Sequence, residues 1–191
     1  MKKIILFFFV FTINIYAQTD NSGLVISGGG GFSVPTNKTG FRDAFTTGFN
    51  AQLNIGYTLN EYLQPRFDVQ YGYFRGKTNA SLQFPQIGSE DKLTIVSMKA
   101  DILIGNCRKC WKFRWYGLAG IGMYFVKETV VANGVKVSDG EFDFGAGFGG
   151  GVFFQLQQHI GFYAETQYNY IMNDGAANGY IPVRIGIQYL K

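Results

Sequence analysis

The sequence predicts an all-β fold, an eight-stranded antiparallel up-and-down transmembrane β-barrel, from three observations. Apolar and polar residues alternate with a period of two in eight successive segments, as in strands with one apolar and one polar face. The connections between these segments alternate between short and long, as they do in membrane barrels. Charged residues make up only 16% of the chain, aromatic residues reach 17%, and there are 26 glycines. This composition fits a lipid-facing barrel better than a soluble domain.

The predicted strands are about 11 to 15 residues long, which suits strands that cross a bilayer at a tilt. In chain order they span residues 23–33, 45–58, 62–74, 93–105, 113–126, 141–156, 160–172 and 180–190. The first contains a glycine run, residues 28–31, and the second shows the alternation most clearly. Its apolar face consists of Phe45, Thr47, Phe49, Ala51, Leu53, Ile55 and Tyr57. The residues between them, rich in Asn, Gln and Gly, form the polar face.

Charged residues in the third and fourth strands stay on the polar face. Arg66 and Asp68 lie on that face of the third strand, and Lys99 and Asp101 lie on that face of the fourth. If the two strands align at their periplasmic ends, Arg66 faces Asp101 and Asp68 faces Lys99. We therefore expect two ion pairs between these strands.

The last four strands follow the same rule. Arg114, Asp143, Glu165 and Arg184 lie on the polar faces of the fifth to the eighth strand, in that order. Glu165 and Arg184 are at similar heights on neighbouring strands. The bore of an eight-stranded barrel is just wide enough for side chains, and a buried charge is costly unless it is paired. The eight interior charges are therefore expected to form an ion-paired plug, and a narrow gated ion path is the alternative.

The longer connections are residues 34–44, 75–92, 127–140 and 173–179, and the shorter ones are 59–61, 106–112 and 157–159. In a membrane barrel with an even number of strands, short turns and both termini lie in the periplasm. Asn133-Gly134, in the third long connection, is a strong hairpin-turn signal. The valines on both sides of it predict a hairpin that extends past the membrane.

Alternation alone does not say which face points outward, since a soluble lipocalin-like barrel alternates with its apolar face inside. Its outer wall would then be the polar set, which is rich in Gly, Asn, Gln and Tyr and poor in Lys and Glu. Such a wall makes a poor soluble surface. Aromatic residues near the strand ends, such as Tyr57, Trp115 and Tyr189, suit the interfacial girdles of a membrane barrel. The apolar face is therefore expected to meet lipid.

The N-terminus predicts a secretory signal peptide over residues 1–17, with the barrel domain over residues 18–191. Lys2 and Lys3 supply the positive start, residues 4–11 the apolar core, and Ala17 a cleavage position. The expected location is the outer membrane of a Gram-negative-type bacterium, with both termini in the periplasm. The net charge of +4 is too small to argue for nucleic acid.

Motifs that carry chemistry are few. The glycine runs lie inside strands and open no helix, so they do not predict a phosphate loop; Gly145, Gly147, Gly149 and Gly151 instead leave room for Tyr116, Tyr124 and Tyr163. Cys107 and Cys110 form a Cys-Arg-Lys-Cys turn, for which a small disulfide is favoured in an oxidising periplasm, with free thiols and redox activity as alternatives. His159 is the single histidine. Neither a metal site nor a cofactor is predicted.

The segments resemble the eight-stranded outer-membrane barrels of the OmpA and OmpX type. The residues that carry the resemblance are Trp115-Tyr116-Gly117-Leu118-Ala119-Gly120-Ile121-Gly122, an aromatic and glycine-alanine strand, together with the pattern of the whole mature chain. The resemblance implies insertion by the barrel-assembly machinery, which in this family reads an aromatic residue at the end of the chain. In this sequence the aromatic residue near that end is Tyr189. The resemblance also implies contact with outer-membrane lipid. It is specific for fold and weak for function.

The expected function is a structural, adhesion or interaction role, with the outer loops displayed at the cell surface and surface or envelope-complex proteins as partners. No catalysis is expected. The alternatives are a small-diameter, porin-like channel for ions or solutes and, disfavoured, a lipid-modifying enzyme. Such enzymes use a His with a Ser and a carboxylate, and His159 lies in a short turn of the predicted barrel.

Overall fold

The computed structural model describes residues 23–36, 41–77, 91–105, 112–132, 135–172 and 178–191. Eight strands form a closed barrel in which each strand pairs antiparallel with the next along the chain. The strands are β1 (Gly23–Pro35), β2 (Gly48–Thr58), β3 (Leu63–Arg75), β4 (Lys92–Gly105), β5 (Phe113–Ala132), β6 (Val135–Gln155), β7 (Ile160–Met172) and β8 (Asn178–Leu190). β1 closes the barrel on β8, from Val25 opposite Leu190 to Pro35 opposite Tyr180. The predicted fold class is confirmed.

The apolar face of the strands points outward, as predicted. Leu53, Ile121 and Ile185 are 68%, 70% and 71% exposed, whereas Asp68 and Lys99 are completely buried. A barrel with this polarity has its hydrophobic surface on the outside, where hydrocarbon rather than water can cover it. The membrane alternative is therefore correct and the lipocalin-like alternative is wrong.

The two ends of the barrel differ. At the terminal end, which holds Gly23 and Leu190, the strands finish at similar levels. At the opposite end, which we call the hairpin end, β5 and β6 project beyond their neighbours. They are 20 and 21 residues long, and they pair with each other up to Ala132 and Val135. The structure thus contains the predicted hairpin and shows it to be longer than its neighbours, while its extension past the membrane stays a prediction; Asn133 and Gly134 lie outside the described residues.

The start of the second predicted strand is wrong. β2 begins at Gly48, and residues 41–44 form a short helix, α1 (Phe41–Ala44). Phe45, expected on the outward face, is only 5% exposed because the chain turns back over the barrel after α1. The amide of Thr46 donates to the carbonyl of Arg75 at 2.8 Å, and Phe45 bridges to Gly76. None of the helices in the described part of the chain has the length or the hydropathy needed to cross a membrane.

Candidate functional site

The middle of the bore holds a buried cluster of six charged side chains, which we call the central polar layer. The register sets Arg66 opposite Asp101 and Asp68 opposite Lys99, and Glu165 opposite Arg184. All six have their side chains almost completely buried, at 3% exposure or less. They are Arg66, Asp68, Lys99, Asp101, Glu165 and Arg184.

Glu165 connects the two sides of this layer. Its carboxylate accepts from Arg66 Nη1 at 2.7 Å, on the far side of the bore, and from Arg184 Nη2 at 2.8 Å, on the next strand. Tyr116 Oη donates to the same carboxylate at 2.9 Å. Arg66 also reaches Asp101 at 3.0 Å. A carboxylate between two guanidinium groups is a strong charge-assisted arrangement, and here it ties β3, β7 and β8 together through the centre.

Lys99 forms a second group of contacts across the bore. Its ammonium lies 3.6 Å from Asp68 Oδ1 and donates to Gln167 Oε1 at 2.5 Å. On the same side, Tyr124 Oη donates to Asn169 Oδ1 at 3.1 Å. These bonds satisfy the buried ammonium with both a carboxylate and amide oxygens, as a charge removed from water requires.

The other two predicted interior charges lie outside this layer. Arg114 is buried at the start of β5, with its guanidinium carbon 3.9 Å from the centroid of the Phe153 ring. Asp143 is half-buried on β6 opposite Tyr124. The structure therefore brings together six of the eight predicted interior charges in one cluster and places the remaining two nearer the ends of the barrel.

A layer of buried apolar side chains lies on each side of the central polar layer. The hairpin-end layer consists of Phe41, Ala44, Phe45, Phe74, Leu93, Ile95, Tyr124, Ile171 and Tyr180. Phe41 from α1 meets Phe74 edge-on at 5.1 Å between ring centroids, and Phe74 meets Tyr180 at 6.0 Å. The terminal-end layer consists of Val25, Phe153, Tyr163 and Leu190, with Tyr116 packed against it. The central polar layer is thus flanked by apolar side chains toward both ends of the barrel.

Sequence reasoning missed these two layers, although the sequence carries a signal for them. Phe74, Ile95 and Ile171 have the inward parity of their strands, so the polar face turns apolar toward the hairpin end. The predicted role of the glycine row is correct for two tyrosines. An added Cβ at Gly145 would lie 2.6 Å from the Tyr124 ring, and one at Gly151 would lie 2.5 Å from Tyr116 Oη. Tyr163 instead lies against Gly29 and Gly186 on β1 and β8.

Two further predicted sites have different outcomes. Cys107 and Cys110 lie outside the described residues, so their disulfide stays a prediction. His159 lies in the turn before β7, where its Nδ1 is 2.9 Å from the carbonyl of Leu190. Within the described ranges, no group of three or more His, Cys, Asp or Glu side chains is arranged to hold a metal ion.

The projecting hairpin separates its charges by strand alternation. On the face that continues the inward side of the barrel lie Glu128, Asp139 and Glu141, and on the outward face lie Lys127 and Lys136. Asp91 anchors the base of the hairpin, since its Oδ1 accepts the amide of Val131 at 2.8 Å. Burial raises the pKa of the Glu128 carboxyl, and the negative charges of Asp91 and Asp139 raise it further.

We expect Glu128→Gln to stabilise the hairpin at neutral pH and to have no effect in acid. Because the pKa of Glu128 is raised on folding, the folded hairpin binds the proton more tightly than the unfolded one. Its stability therefore falls as pH rises from the ordinary value of 4.5 through the raised value. The gain at neutral pH should be roughly 0.5 kcal/mol, since solvent screens this partly exposed group. Hydrogen exchange of the hairpin amides, compared between variant and wild type at each pH, measures it.

Glu141→Gln is the matched control for this prediction. Glu141 is an exposed carboxylate on the same hairpin and is not among the charges that raise the pKa of Glu128. Its variant should give no comparable gain. A stabilisation by Glu128→Gln that persists in acid would contradict the assignment.

Comparison with known proteins shows which family has this architecture. The family model described as "Outer membrane protein beta-barrel domain" matches residues 4–185. Comparison with curated protein sequences gives no significant match. Among solved structures, a major outer membrane protein of Thermus thermophilus is similar at 11% identity and a TM-score of 0.64, covering 89% of this chain and 99% of that one.

Two other solved structures share the fold. Neisserial surface protein A is 15% identical with a TM-score of 0.58, covering 88% of this chain and 96% of its own. The attachment invasion locus protein of Yersinia pestis, solved with a heparin analogue, is 16% identical with a TM-score of 0.55, covering 88% and 99%. At these identities the likeness concerns the fold. The family model spans nearly the whole chain, and the chain therefore belongs to the outer membrane protein beta-barrel domain family.

Proposed function

We propose that this protein is a closed, non-conducting barrel of the outer membrane that anchors the hairpin end for contact with other molecules. The observation that carries the proposal is the enclosure of the central polar layer between two apolar layers. Ions passing through the bore would have to displace Glu165 from two guanidinium groups and then cross an aromatic layer at the hairpin end. Both steps are costly in a bore of this size.

The proposed orientation puts the terminal end in the periplasm and the hairpin end at the cell surface. An even number of antiparallel strands places both chain ends at one end of the barrel. A chain exported with a signal peptide over residues 1–17 begins on the periplasmic side. Insertion by the barrel-assembly machinery is part of this proposal, and so are surface or envelope-complex proteins as partners of the hairpin end. A fold of this kind also occurs in a protein named for attachment and invasion.

Planar bilayer recording tests the closed barrel. We expect the purified, refolded chain to give no steady conductance steps, because the bore is filled by paired side chains and capped by apolar ones. A large porin added to the same bilayer provides the positive control, since barrels of about 16 strands leave an aqueous channel. Heat-dependent gel mobility establishes that the inserted protein is folded. Steady, well-resolved steps whose size changes in Glu165→Ala would contradict the proposal.

Gentle detergent extraction from the native membrane, followed by native sizing, tests the interaction half of the proposal. We expect a particle larger than one barrel in its detergent micelle, since the proposal assigns a protein partner to the hairpin end. Removal of the hairpin tip, residues 130–137, should return the particle to the size of the free barrel while heat-dependent mobility stays normal. A particle of the free size from wild-type cells would argue against a stable partner.

A further inference from the structure

Three cations occupy neighbouring positions on the outward face near the hairpin end. Arg75 on β3 is directly opposite Lys92 on β4. Lys127 on β5 is opposite Thr94, which makes it the diagonal neighbour of Lys92. All three side chains are exposed. Directly opposed residues in an antiparallel pair have Cβ atoms about 5 Å apart, and diagonal ones about 7–8 Å. We call Arg75, Lys92 and Lys127 the basic triad.

Among the residues that the structure describes, no carboxylate forms an ion pair with this triad, although like charges directly opposite each other destabilise a sheet. Strand alternation explains why. The nearby carboxylates of Glu128, Asp139 and Glu141 have the opposite parity and lie on the inner face of the hairpin.

The backbone under the triad is held firmly. The carbonyl of Arg75 accepts from the amide of Thr46 at 2.8 Å and from its hydroxyl at 3.1 Å. Next to Lys92, Asp91 is completely buried. Its carbonyl accepts the amide of Gly76 at 2.8 Å, while its side chain accepts that of Val131. The three cations therefore project from a hydrogen-bonded platform formed by the ends of β3 and β4 and by the part of β5 that pairs with β4.

The level of the triad in the membrane follows from the aromatic residues beside it. On the same outward face, Phe49 and Tyr73 align with Lys127 in the strand register. Tyr71, Phe125 and Phe142 align with one another two residues nearer the terminal end. The rings of Phe49 and Tyr73 are 5.3 Å apart, and those of Phe125 and Phe142 are 4.7 Å apart. Aromatic girdles of membrane barrels lie at the boundary between hydrocarbon and headgroups. The triad is consequently at headgroup depth.

We propose that the basic triad binds the phosphate of a membrane-lipid headgroup. Phosphate is the anionic group found at this depth, and a guanidinium beside two ammonium groups provides several charge-assisted donors for it. Binding relieves the repulsion between Arg75 and Lys92. The inference rests on the family's place in the outer membrane and goes beyond the proposed anchoring function. The phosphate belongs either to lipid A or to a glycerophospholipid, depending on which leaflet surrounds the hairpin end.

Native mass spectrometry of the full, refolded chain in detergent tests the proposal. The probes are lipid A carrying two phosphates, lipid A without phosphate, and phosphatidylglycerol. We expect a phosphate-bearing probe to bind and the dephosphorylated lipid to bind at least about tenfold more weakly, given the contribution of each cation at a membrane surface. Preference for bisphosphorylated lipid A assigns the site to lipid A, and preference for phosphatidylglycerol assigns it to a glycerophospholipid.

Matched variants distinguish an effect of the triad from an effect of the protein's net charge. The triple variant Arg75→Gln, Lys92→Gln, Lys127→Gln should weaken binding of the preferred probe by at least about tenfold. The control Lys112→Gln, Lys136→Gln, Lys191→Gln removes the same charge from exposed, separate positions and should bind as wild type does. The charge-conserving set Arg75→Lys, Lys92→Arg, Lys127→Arg should retain binding. Heat-dependent gel mobility checks folding of each variant. Equal losses in both triple glutamine variants, or no dependence on phosphate, would overturn the proposal.

Discussion

Replacing Glu165 by Gln should destabilise the barrel by about 3–5 kcal/mol, which is the usual cost of removing one partner from a buried ion pair. The amide has nearly the shape of the carboxylate, so the loss is electrostatic. Arg66 and Arg184 would both keep their charges at 3% exposure or less while losing the anion between them. Asp101 still faces Arg66, but no other carboxylate of the described ion pairs reaches Arg184.

Equilibrium unfolding in urea, with the protein in detergent micelles and followed by heat-dependent gel mobility, measures this cost. Glu141→Gln makes the same chemical change at an exposed position and should alter the free energy of unfolding by less than about 0.5 kcal/mol. If the two variants unfold at the same urea concentration, the ion pairs of Glu165 do not stabilise the barrel.

The strands and their faces were predictable from the sequence because a period of two is a local property. The alternation within each strand shows which of its residues point inward and which point outward. The charged residues of β3 to β8 all have the inward parity of their own strand. The register of β3 against β4 was also predictable, because aligning the two strands at their predicted periplasmic ends sets Arg66 opposite Asp101 and Asp68 opposite Lys99. What the pattern could not give is the turn at α1, where Phe45 keeps the strand's parity but the chain has left the sheet. Burial of Phe41 and Phe45 over the bore overrides the local alternation there.

The contacts across the bore were not predictable in the same way. Whether Arg66 meets Glu165 depends on how far the strands are staggered around the closed barrel, which is a property of all eight strands together. The extension of β5 and β6 was predictable from the valines around Asn133-Gly134. The separation of positive and negative side chains between the two faces of this hairpin also follows from alternation. Where those charges lie relative to the membrane depends on the position of the aromatic girdle, which only the three-dimensional register shows.

Glycine positions show the same division between local and global information, and they lead to a second prediction. Gly151 lies between Tyr116 and Glu165 in the sheet register. The tyrosine ring passes over this glycine to donate its hydroxyl to the carboxylate at 2.9 Å. An added Cβ would lie 2.5 Å from Tyr116 Oη, 2.6 Å from its Cζ and 2.8 Å from the carbonyl oxygen of Ala164. We expect Gly151→Ala to cost about 1–3 kcal/mol, the usual range for an overpacked interior.

Gly117, next to Tyr116 on β5, is the matched control. A Cβ added there would come no closer than 3.8 Å to Ile104 O, so Gly117→Ala should leave stability unchanged or raise it by up to about 1 kcal/mol through the unfolded chain. The same urea unfolding measurement compares the two variants. The loss in Gly151→Ala should shrink when Tyr116 is also replaced by Ala, because the ring that the new methyl group displaces is then absent. If the losses instead add without coupling, the clash with the Ala164 carbonyl is the cause, and Tyr116 does not depend on Gly151 for its place beside Glu165.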